Sequence, residues 1–197
     1  MIAIVLAGGK SSRMRRTVVE PREKALISIG ALGKEKRLIE LVIASVKDSA
    51  VDDFFVAVTK STPRTTAYCE QMQYKTLETP GDGYVEDLRF LLTRYPAFVS
   101  VVCDAPFVKS EHINTVIEAY HVHGVSITGA VPLDLQPQGV TPGHVFEYKG
   151  HILVSCGLNL VTNSVESIPV IFAEPLLAIN VNTDEELRVA RSMLESR

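Results

Sequence analysis

The chain has 197 residues, a formal net charge of −3 and a hydrophobic content of 46%, which fits one domain with a core that needs no disulfides. This charge is too small for binding nucleic acid through bulk electrostatics. The three cysteines, Cys69, Cys103 and Cys156, cannot all pair and lack metal-ligand spacing. With no signal-peptide pattern and no bilayer-length apolar run, the chain is predicted to be cytoplasmic.

Strands and helices are predicted to alternate along the first two thirds of the chain. Short apolar, β-branched runs predict strands, and apolar residues at helical spacing predict helices. The strands are expected at 1–6, 54–59, 74–77, 97–103 and 125–131, and the helices at 37–47, 63–73, 84–95 and 110–123. This alternation predicts an α/β fold, a Rossmann-like doubly wound, mostly parallel sheet with helices on both faces.

The segment 132–162 interrupts this alternation. It contains three prolines and four glycines and is predicted to form a small inserted lobe, a loop followed by a β-hairpin, within a single domain of residues 1–197. Strands are expected again at 168–172 and 178–181, and a closing helix at 183–194. Thr183-Asp184-Glu185-Glu186 resembles a capping box at the start of that helix.

A glycine-containing loop follows the first strand. Leu6-Ala7-Gly8-Gly9 ends the apolar run, and six basic and two acidic residues lie between Lys10 and Lys24. Gly8 and Gly9 would allow the backbone N–H groups to approach a phosphate, and Arg13 and Lys24 would neutralise it. The alternative is a tight turn followed by a solvated charged loop. The spacing matches neither the dinucleotide fingerprint nor a P-loop.

A carboxylate follows the most apolar predicted strand, in Cys103-Asp104-Ala105-Pro106. Ligands of doubly wound sheets bind beyond the carboxyl ends of the strands. Asp104 is therefore well placed to hold a divalent cation that bridges phosphate oxygens. The alternative is an aspartate that caps the following turn.

A second glycine-containing stretch, Gly81-Asp82-Gly83-Tyr84-Val85-Glu86-Asp87-Leu88, opens a predicted helix. Its backbone N–H groups would be available to a ligand, and its carboxylates are Asp82, Glu86 and Asp87. A carboxylate can accept hydrogen bonds from both N1–H and N2–H₂ of guanine, which adenine cannot donate. The alternative is the ordinary preference of acidic residues for helix N-termini.

Two asparagines alternate in Asn180-Val181-Asn182-Thr183. At a strand end they would contact a metal or a ribose, or else cap the last helix. His121 and His123 lie two residues apart and cannot share a helix face. His144 and His151 flank the predicted hairpin and are interpreted as surface residues, and Cys103 as a small core residue.

These stretches resemble one family. Leu6-Ala7-Gly8-Gly9, Arg13-Met14 and Glu23-Lys24-Ala25-Leu26 are similar to the L-A-G-G-x-x-x-R-M-G … K-P-L signature of the nucleotidyltransferases that include molybdenum cofactor guanylyltransferase, the cytidylyltransferases of isoprenoid synthesis and sugar-1-phosphate nucleotidyltransferases. Asp104-Ala105-Pro106 resembles the metal-binding D-x-P of this family, and 180–187 its closing N-x-N-T-x-x-x-L. The chain departs from the signature at Arg15, where the family has glycine, and at Ala25, where it has proline.

Within the family, three stretches are most similar to the archaeal guanylyltransferases that act on adenosylcobinamide phosphate. Thr59-Lys60-Ser61-Thr62-Pro63-Arg64-Thr65 resembles S-P-N-T-P-K-T. Gly81 to Leu88 resembles G-K-G-Y-I-E-D-L, and Gly157-Leu158-Asn159-Leu160-Val161 resembles G-I-N-I-V. The resemblance implies the fold of nucleotide-diphospho-sugar transferases and transfer of GMP from GTP to adenosylcobinamide phosphate, with release of pyrophosphate, in cobalamin assembly.

The resemblance also implies a role for each matched residue. Catalysis is expected from Arg13, Lys24 and Asp104, and Mg²⁺ binding from Asp104 and Asn182. GTP is expected to contact Leu6, Ala7, Gly8, Gly9, Gly81, Gly83, Glu86 and Asp87, and the corrinoid phosphate side Gly157, Asn159 and Asn180. The resemblance leaves a homodimer open. Two alternatives remain: a nucleotidyltransferase for a molybdopterin-type or other small phosphate, and a GTP-binding domain without catalysis.

Overall fold

A computed structural model describes residues 1–9, 23–30 and 36–195. Ten strands lie within these ranges. Eight of them form one sheet, and the two shortest form a separate ribbon. They are β1 (Ile2–Leu6), β2 (Ser28–Ile29), β3 (Lys36–Arg37), β4 (Asp53–Val58), β5 (Thr76–Glu78), β6 (Ala97–Val102), β7 (Ser126–Pro132), β8 (Val145–Tyr148), β9 (His151–Thr162) and β10 (Ser167–Ile171). β2 and β3 pair with each other in a separate two-stranded ribbon.

The order of the main sheet is β10-β7-β9-β6-β1-β4-β5, and β8 pairs with β9. β1 is parallel to β4 and β6, and β4 is parallel to β5, so four strands end at one edge. The chain leaves β1 toward β4 and later returns to the other side of β1 as β6. Such a reversal of strand order opens a crevice beyond the strand ends, where doubly wound folds bind ligands.

Five α-helices lie within the described residues: α1 (Leu38–Lys47), α2 (Pro63–Gln71), α3 (Tyr84–Leu92), α4 (Ser110–His123) and α5 (Asp184–Glu195). The larger core cluster packs α1, α2 and α4 on one face of the sheet, with Ile43, Cys69 and Ile113 fully buried or nearly so. Leu91 of α3 packs with Ile4, Ala57 and Phe98 in a separate cluster. None of these helices combines the length and the apolar character needed to cross a membrane.

The predicted doubly wound, mostly parallel architecture is confirmed, and the boundaries of α4 coincide with the predicted 110–123. The hairpin in 132–162 is present as β8 and β9, but β9 is twelve residues long. Its second half pairs antiparallel with both β6 and β7. Asn159 therefore lies in the main sheet. The predicted segment 132–162 is not a separate lobe up to residue 162, because its last residues belong to that sheet.

The predicted strand at 178–181 is wrong. Pro175–Ala178 forms a 3₁₀ turn, and the residues after it are extended without a ladder partner among the described strands. A single backbone bond, from Val181 N–H to the Asp104 carbonyl (2.8 Å), attaches this segment to the end of β6. The apolar run Ile179 and Val181 is buried against Leu187 of α5 and has the burial of a strand without its hydrogen bonds.

Candidate active site

Two adjoining cavities open beyond the carboxyl ends of β1, β4, β5 and β6. The first has a volume of about 400 Å³ and contains both glycine stretches. The second is larger, about 680 Å³, and extends over β9 and β7. Lys24, Tyr84, Val102 and Asp104 line both cavities, so these residues mark the place where the two spaces meet.

The cavities bring together most of the predicted site residues. The first is lined by Leu6, Ala7, Gly8, Gly9, Lys24, Gly81, Gly83, Asp87 and Asp104. The second is lined by Lys24, Asp104, Gly157, Asn159, Asn180 and Asn182. Glu86 lines neither cavity. Its carboxylate is half-exposed and lies 3.7 Å from the guanidinium of Arg89. Arg13 lies outside the described residues.

Lys24 occupies the junction. Its Nζ donates to Asp104 Oδ2 at 2.6 Å and to Asn182 Oδ1 at 2.7 Å. Both side chains of the ion pair are largely buried, with 15% and 11% of their surfaces exposed. An ion pair with so little solvent is stronger than a surface pair, and removing either partner leaves the other charge poorly solvated.

Glu23 fixes the position of Lys24, and sequence analysis missed this role. The Glu23 carboxylate is buried and accepts hydrogen bonds from the backbone N–H groups of Arg64 (2.9 Å) and Thr65 (2.6 Å), and from Thr65 Oγ1 (2.6 Å). Those N–H groups belong to the first turn of α2, which has no intrahelical acceptor for them. Because Ala25 is also buried, the chain is held on both sides of Lys24.

Glu186 holds Asn182 in a similar way. Its Oε2 accepts from the backbone N–H groups of Asn182 (2.7 Å) and Thr183 (2.9 Å), while Thr183 Oγ1 accepts from the N–H of Glu186 (3.2 Å). This reciprocal pair is the capping box predicted at Thr183. Glu186 Oε1 accepts from the N–H of Thr141 (3.2 Å), so the buried glutamate also attaches the loop before β8.

Thr59 separates the two glycine stretches. It is buried directly after β4, and its Oγ1 donates to the Gly8 carbonyl at 3.0 Å. A Cβ on Gly8 would lie 2.5 Å from Thr59 Cγ2, and a Cβ on Gly81 would lie 3.1 Å from the same methyl. The close packing of both loops on one threonine explains the glycine at position 8 and contributes to the need for glycine at position 81.

The second glycine stretch is shaped by its own backbone and by Asp87. Gly81 and Gly83 have φ angles of +76° and +136°, which disfavour residues with a side chain. Asp87 Oδ1 accepts from the Gly81 N–H at 2.9 Å and closes the turn over the first turn of α3. One oxygen of Asp87, a carboxylate predicted to bind guanine, therefore holds the glycine turn that precedes α3.

Thiol chemistry is disfavoured at this edge. Burial raises the pKa of the Cys103 thiol strongly, and the negative charge of Asp104 adds to this rise while Lys24 opposes it. Burial also raises the pKa of Cys156 to about 11. Both thiols are therefore protonated near neutral pH and poor nucleophiles, which agrees with the interpretation of Cys103 as a core residue.

The oxygens expected to bind metal converge. Asp104 Oδ2 and Asn182 Oδ1 both lie within 2.7 Å of one point, the Lys24 Nζ. A carboxylate and an amide carbonyl are the hard oxygen ligands that Mg²⁺ prefers. The pair fits such an ion once the ammonium turns away.

A second cluster of ligand types, Glu111, His112 and Glu174, has its polar atoms within 4.8 Å of one another. His112 Nδ1 accepts the backbone N–H of Lys109 (3.0 Å), so the ring proton is on Nε2, which faces Glu174 at 2.9 Å. A metal on Nε2 would have to displace that proton, which would either leave an imidazolate or move the proton to Nδ1 and break the bond from Lys109. The cluster is therefore a helix cap and a histidine–glutamate pair.

Two solved structures share this fold and are named for enzymes that act on nucleotides. The chain is similar to CMP:2-keto-3-deoxy-manno-octonic acid synthetase in complex with CTP, with a TM-score of 0.68, 15% identity and coverage of 99% of this chain and 97% of the other. It is also similar to a structure assigned to a glucose-1-phosphate thymidylyltransferase from Bacillus anthracis (TM-score 0.71, 13% identity, coverage of 100% and 96%). The fold is that of the nucleotide-diphospho-sugar transferases.

The chain belongs to the family of MobA-like NTP transferase domains, whose model matches residues 3–186. Its sequence is 26% identical over 204 aligned positions to adenosylcobinamide-phosphate guanylyltransferase of Methanocaldococcus jannaschii, covering 99% of this chain and 98% of that protein. The predicted family membership is thereby confirmed.

Proposed function

We propose that this nucleotidyltransferase transfers GMP from GTP to adenosylcobinamide phosphate, giving adenosylcobinamide-GDP and pyrophosphate. The observation that supports it most directly is the Lys24–Asp104 pair at the junction of two adjoining cavities. One space suits a nucleotide and the other a larger acceptor, and the transferred phosphorus would lie where they meet. The similarity to the guanylyltransferase of Methanocaldococcus jannaschii supports the choice of both substrates.

GTP is assigned to the first cavity. Backbone N–H groups at Gly8 and Gly9 would bind the triphosphate, and Arg13 would hold its β- and γ-phosphates. Asp87 and the turn at 81–83 would recognise the guanine. Glu86, which does not line the cavity, is the weakest of the proposed guanine contacts.

The acceptor is assigned to the second cavity. Amide and hydroxyl side chains such as Asn159, Asn180 and Ser155 line it, next to apolar groups. The Oδ1 atom of Asn180 is buried without a hydrogen-bond partner among the described residues, so it is able to accept one from a ligand. An acceptor body with many uncharged amides, such as a corrinoid, suits this lining. His144 also lines the cavity, although its sequence context suggested a surface residue.

The chemistry requires no general base. A phosphate oxygen of the acceptor, already anionic near neutral pH, attacks the α-phosphorus of GTP. The bond from that phosphorus to the α,β-bridging oxygen breaks, and the pair of electrons leaves with pyrophosphate. Lys24 would neutralise the α-phosphate and the incoming phosphate, so that two anions can approach in line.

Asp104 and Asn182 would hold Mg²⁺, which when bound supplies positive charge to the phosphate oxygens. Lys24 would then exchange its contacts with Asp104 and Asn182 for contacts with phosphate. Removal of one such electrostatic contact commonly costs about a hundredfold in rate.

Pyrophosphate release tests the proposal. Purified protein is mixed with GTP and Mg²⁺, and with adenosylcobinamide phosphate, a molybdopterin-type phosphate or no acceptor. Release only with the corrinoid phosphate supports the proposal. Release with the molybdopterin-type phosphate instead would identify the alternative acceptor, and binding of GTP without any release would identify a non-catalytic domain.

Nucleotide selection is tested separately by calorimetric titration with GTP, ATP and CTP. Tighter binding of GTP is expected because only guanine donates two hydrogen bonds to one carboxylate. Equal affinity for the three nucleotides would refute the guanine-binding role of residues 81–87. Lys24→Ala keeps both glycine stretches and removes the ammonium at the junction, so this variant is expected to lose turnover in the pyrophosphate assay.

A further inference from the structure

Tyr84 lies between the two cavities. It is the first residue of α3, directly after Gly83, and its ring lines both spaces. Its hydroxyl accepts a hydrogen bond from Asn159 Nδ2 at 3.0 Å, across 75 positions of sequence. The contact connects the glycine turn on the nucleotide side to β9 on the acceptor side.

The anchor on β9 is rigid. Asn159 pairs with Ser100 of β6 and with Thr128 of β7, so ladder hydrogen bonds hold it from both sides. Ser100 and Asn159 are direct cross-strand partners, and their side chains project from the same face of the sheet. Ser100 Oγ is buried without a hydrogen-bond partner among the described residues.

The element that Tyr84 follows is a glycine turn, and the Asp87 contact that closes it does not reach the acceptor side. Gly81 and Gly83 both have positive φ angles, and glycine has more conformational freedom than any other residue. Burial raises the pKa of the Tyr84 phenol, while Ser100 and Asn159 oppose that rise. The residue as a whole is 48% exposed, and it lines both cavities.

We propose that Tyr84 is a positioning residue for the transfer, which divides the two substrate cavities and, through Asn159, holds the glycine turn in register with the acceptor strand. The inference rests on the proposed function. It assigns Asn159 a second task besides contact with the acceptor. Neither the glycine turn nor β9 alone defines the distance between the two substrates, whereas the Tyr84–Asn159 bond does.

The test compares Tyr84→Phe, Asn159→Ala and the double variant with the wild type. Loss of the hydroxyl keeps the ring and the partition, so kcat is expected to fall about tenfold while KM for GTP changes less than about twofold. The double variant is expected to be no slower than Asn159→Ala, since both changes break the same bond. Tyr95→Phe, after the end of α3, is the control, because the Tyr95 ring packs on Phe55 away from both cavities.

A kcat of Tyr84→Phe equal to that of the wild type would overturn the inference. Additive losses in the double variant would also overturn it, since Tyr84 would then act independently of Asn159. A fall in GTP affinity that matches the fall in kcat would overturn it too, since Tyr84 would then act by binding the nucleotide. Thermal unfolding of each variant identifies a general loss of folding. Failure of the proposed function is distinct, because the wild-type protein would then release no pyrophosphate with the corrinoid phosphate.

Discussion

At the scale of single residues, the ammonium of Lys24 occupies the two oxygens, on Asp104 and Asn182, that the proposed divalent cation would need. Lys24 Nζ contacts Asp104 Oδ2 and Asn182 Oδ1, so under the proposed function this side chain holds the two oxygens together and would have to leave before a metal could bind. A lysine expected to contact phosphate and an aspartate expected to bind metal are thus paired until substrate arrives. This pairing keeps the charge of Asp104 compensated in a site with little solvent.

The variant Lys24→Met tests this competition without turnover. Methionine keeps an unbranched side chain of similar length and removes the charge. Affinity for Mn²⁺, used as a probe for Mg²⁺ and measured in the absence of nucleotide, is expected to rise about tenfold, equivalent to about 1.4 kcal/mol. Lys109→Met is the control, because Lys109 pairs with Glu111 at the surface. Unchanged or weaker Mn²⁺ binding by Lys24→Met would exclude the competition.

A second residue-scale prediction concerns the glycine loop. Gly8→Ala places a Cβ 2.5 Å from Thr59 Cγ2 and is expected to lower the free energy of unfolding by about 1–3 kcal/mol. The double variant Gly8→Ala/Thr59→Ser removes that methyl and keeps the hydroxyl that bonds the Gly8 carbonyl, so most of the loss should be recovered. Urea denaturation measures both.

Gly9→Ala is the matched stability control, since no atom of the described residues, apart from its chain neighbours, lies within 4 Å of the position of its Cβ. Its free energy of unfolding should stay close to that of the wild type. Additive effects of Gly8→Ala and Thr59→Ser would show that the clash with the methyl is not the cause.

At the scale of secondary-structure elements, distant carboxylates fix the active-site segments. Glu23 caps α2 from outside the helix, and Glu186 caps α5 from within it. The second cap follows a local spacing, Thr183 to Glu186, and was predictable. The first has no local pattern, because donor and acceptor are about forty residues apart, and only the fold brings them together.

The same contrast explains the other differences from prediction. The start signal at Ser110 predicted α4 to within one residue because such a signal is local, and the structure places the N-cap at Lys109. The residues at 178–181 are as apolar as a strand, and their lack of a ladder depends on what the rest of the fold places beside them. The site follows the same rule. Glycines and Asp104 stand out at strand ends, whereas the contacts of Thr59, Tyr84 and His144 follow only from their neighbours in space.

Glu23→Gln tests the cap on α2. The amide keeps one acceptor oxygen but directs an N–H₂ group toward N–H and O–H donors at Arg64 or Thr65, so the free energy of unfolding is expected to fall by about 1–3 kcal/mol. Turnover should also fall, because the neighbouring Lys24 shifts. Glu70→Gln, at an exposed position of α2, is the control for loss of one carboxylate. A Glu23→Gln protein with wild-type stability would contradict the assigned cap.

At the scale of the whole molecule, the core and the crevice are built from the same strands. Cys69, Cys103 and Cys156 are all buried, and Cys103 directly follows the central strand that leads to Asp104. Parallel strands buried on both faces form a stable base, while their ends remain open to ligands. The three buried thiols therefore become exposed when the core beneath the junction unfolds.

The thiols also predict how stability depends on pH. Burial raises the pKa of Cys69 and Cys156 to about 11 from the value of 9.0 for an exposed thiol, so the unfolded chain loses these protons at lower pH than the folded protein does. Their contribution is fully present below about pH 9 and is lost as the pH rises toward about 11. Urea denaturation at a series of pH values should show the free energy of unfolding falling over this interval, and less steeply in a Cys69→Ala/Cys156→Ala variant. The same slope in both proteins would assign the fall to other groups, such as the tyrosines, and would show that the two thiols are not what couples the core to pH.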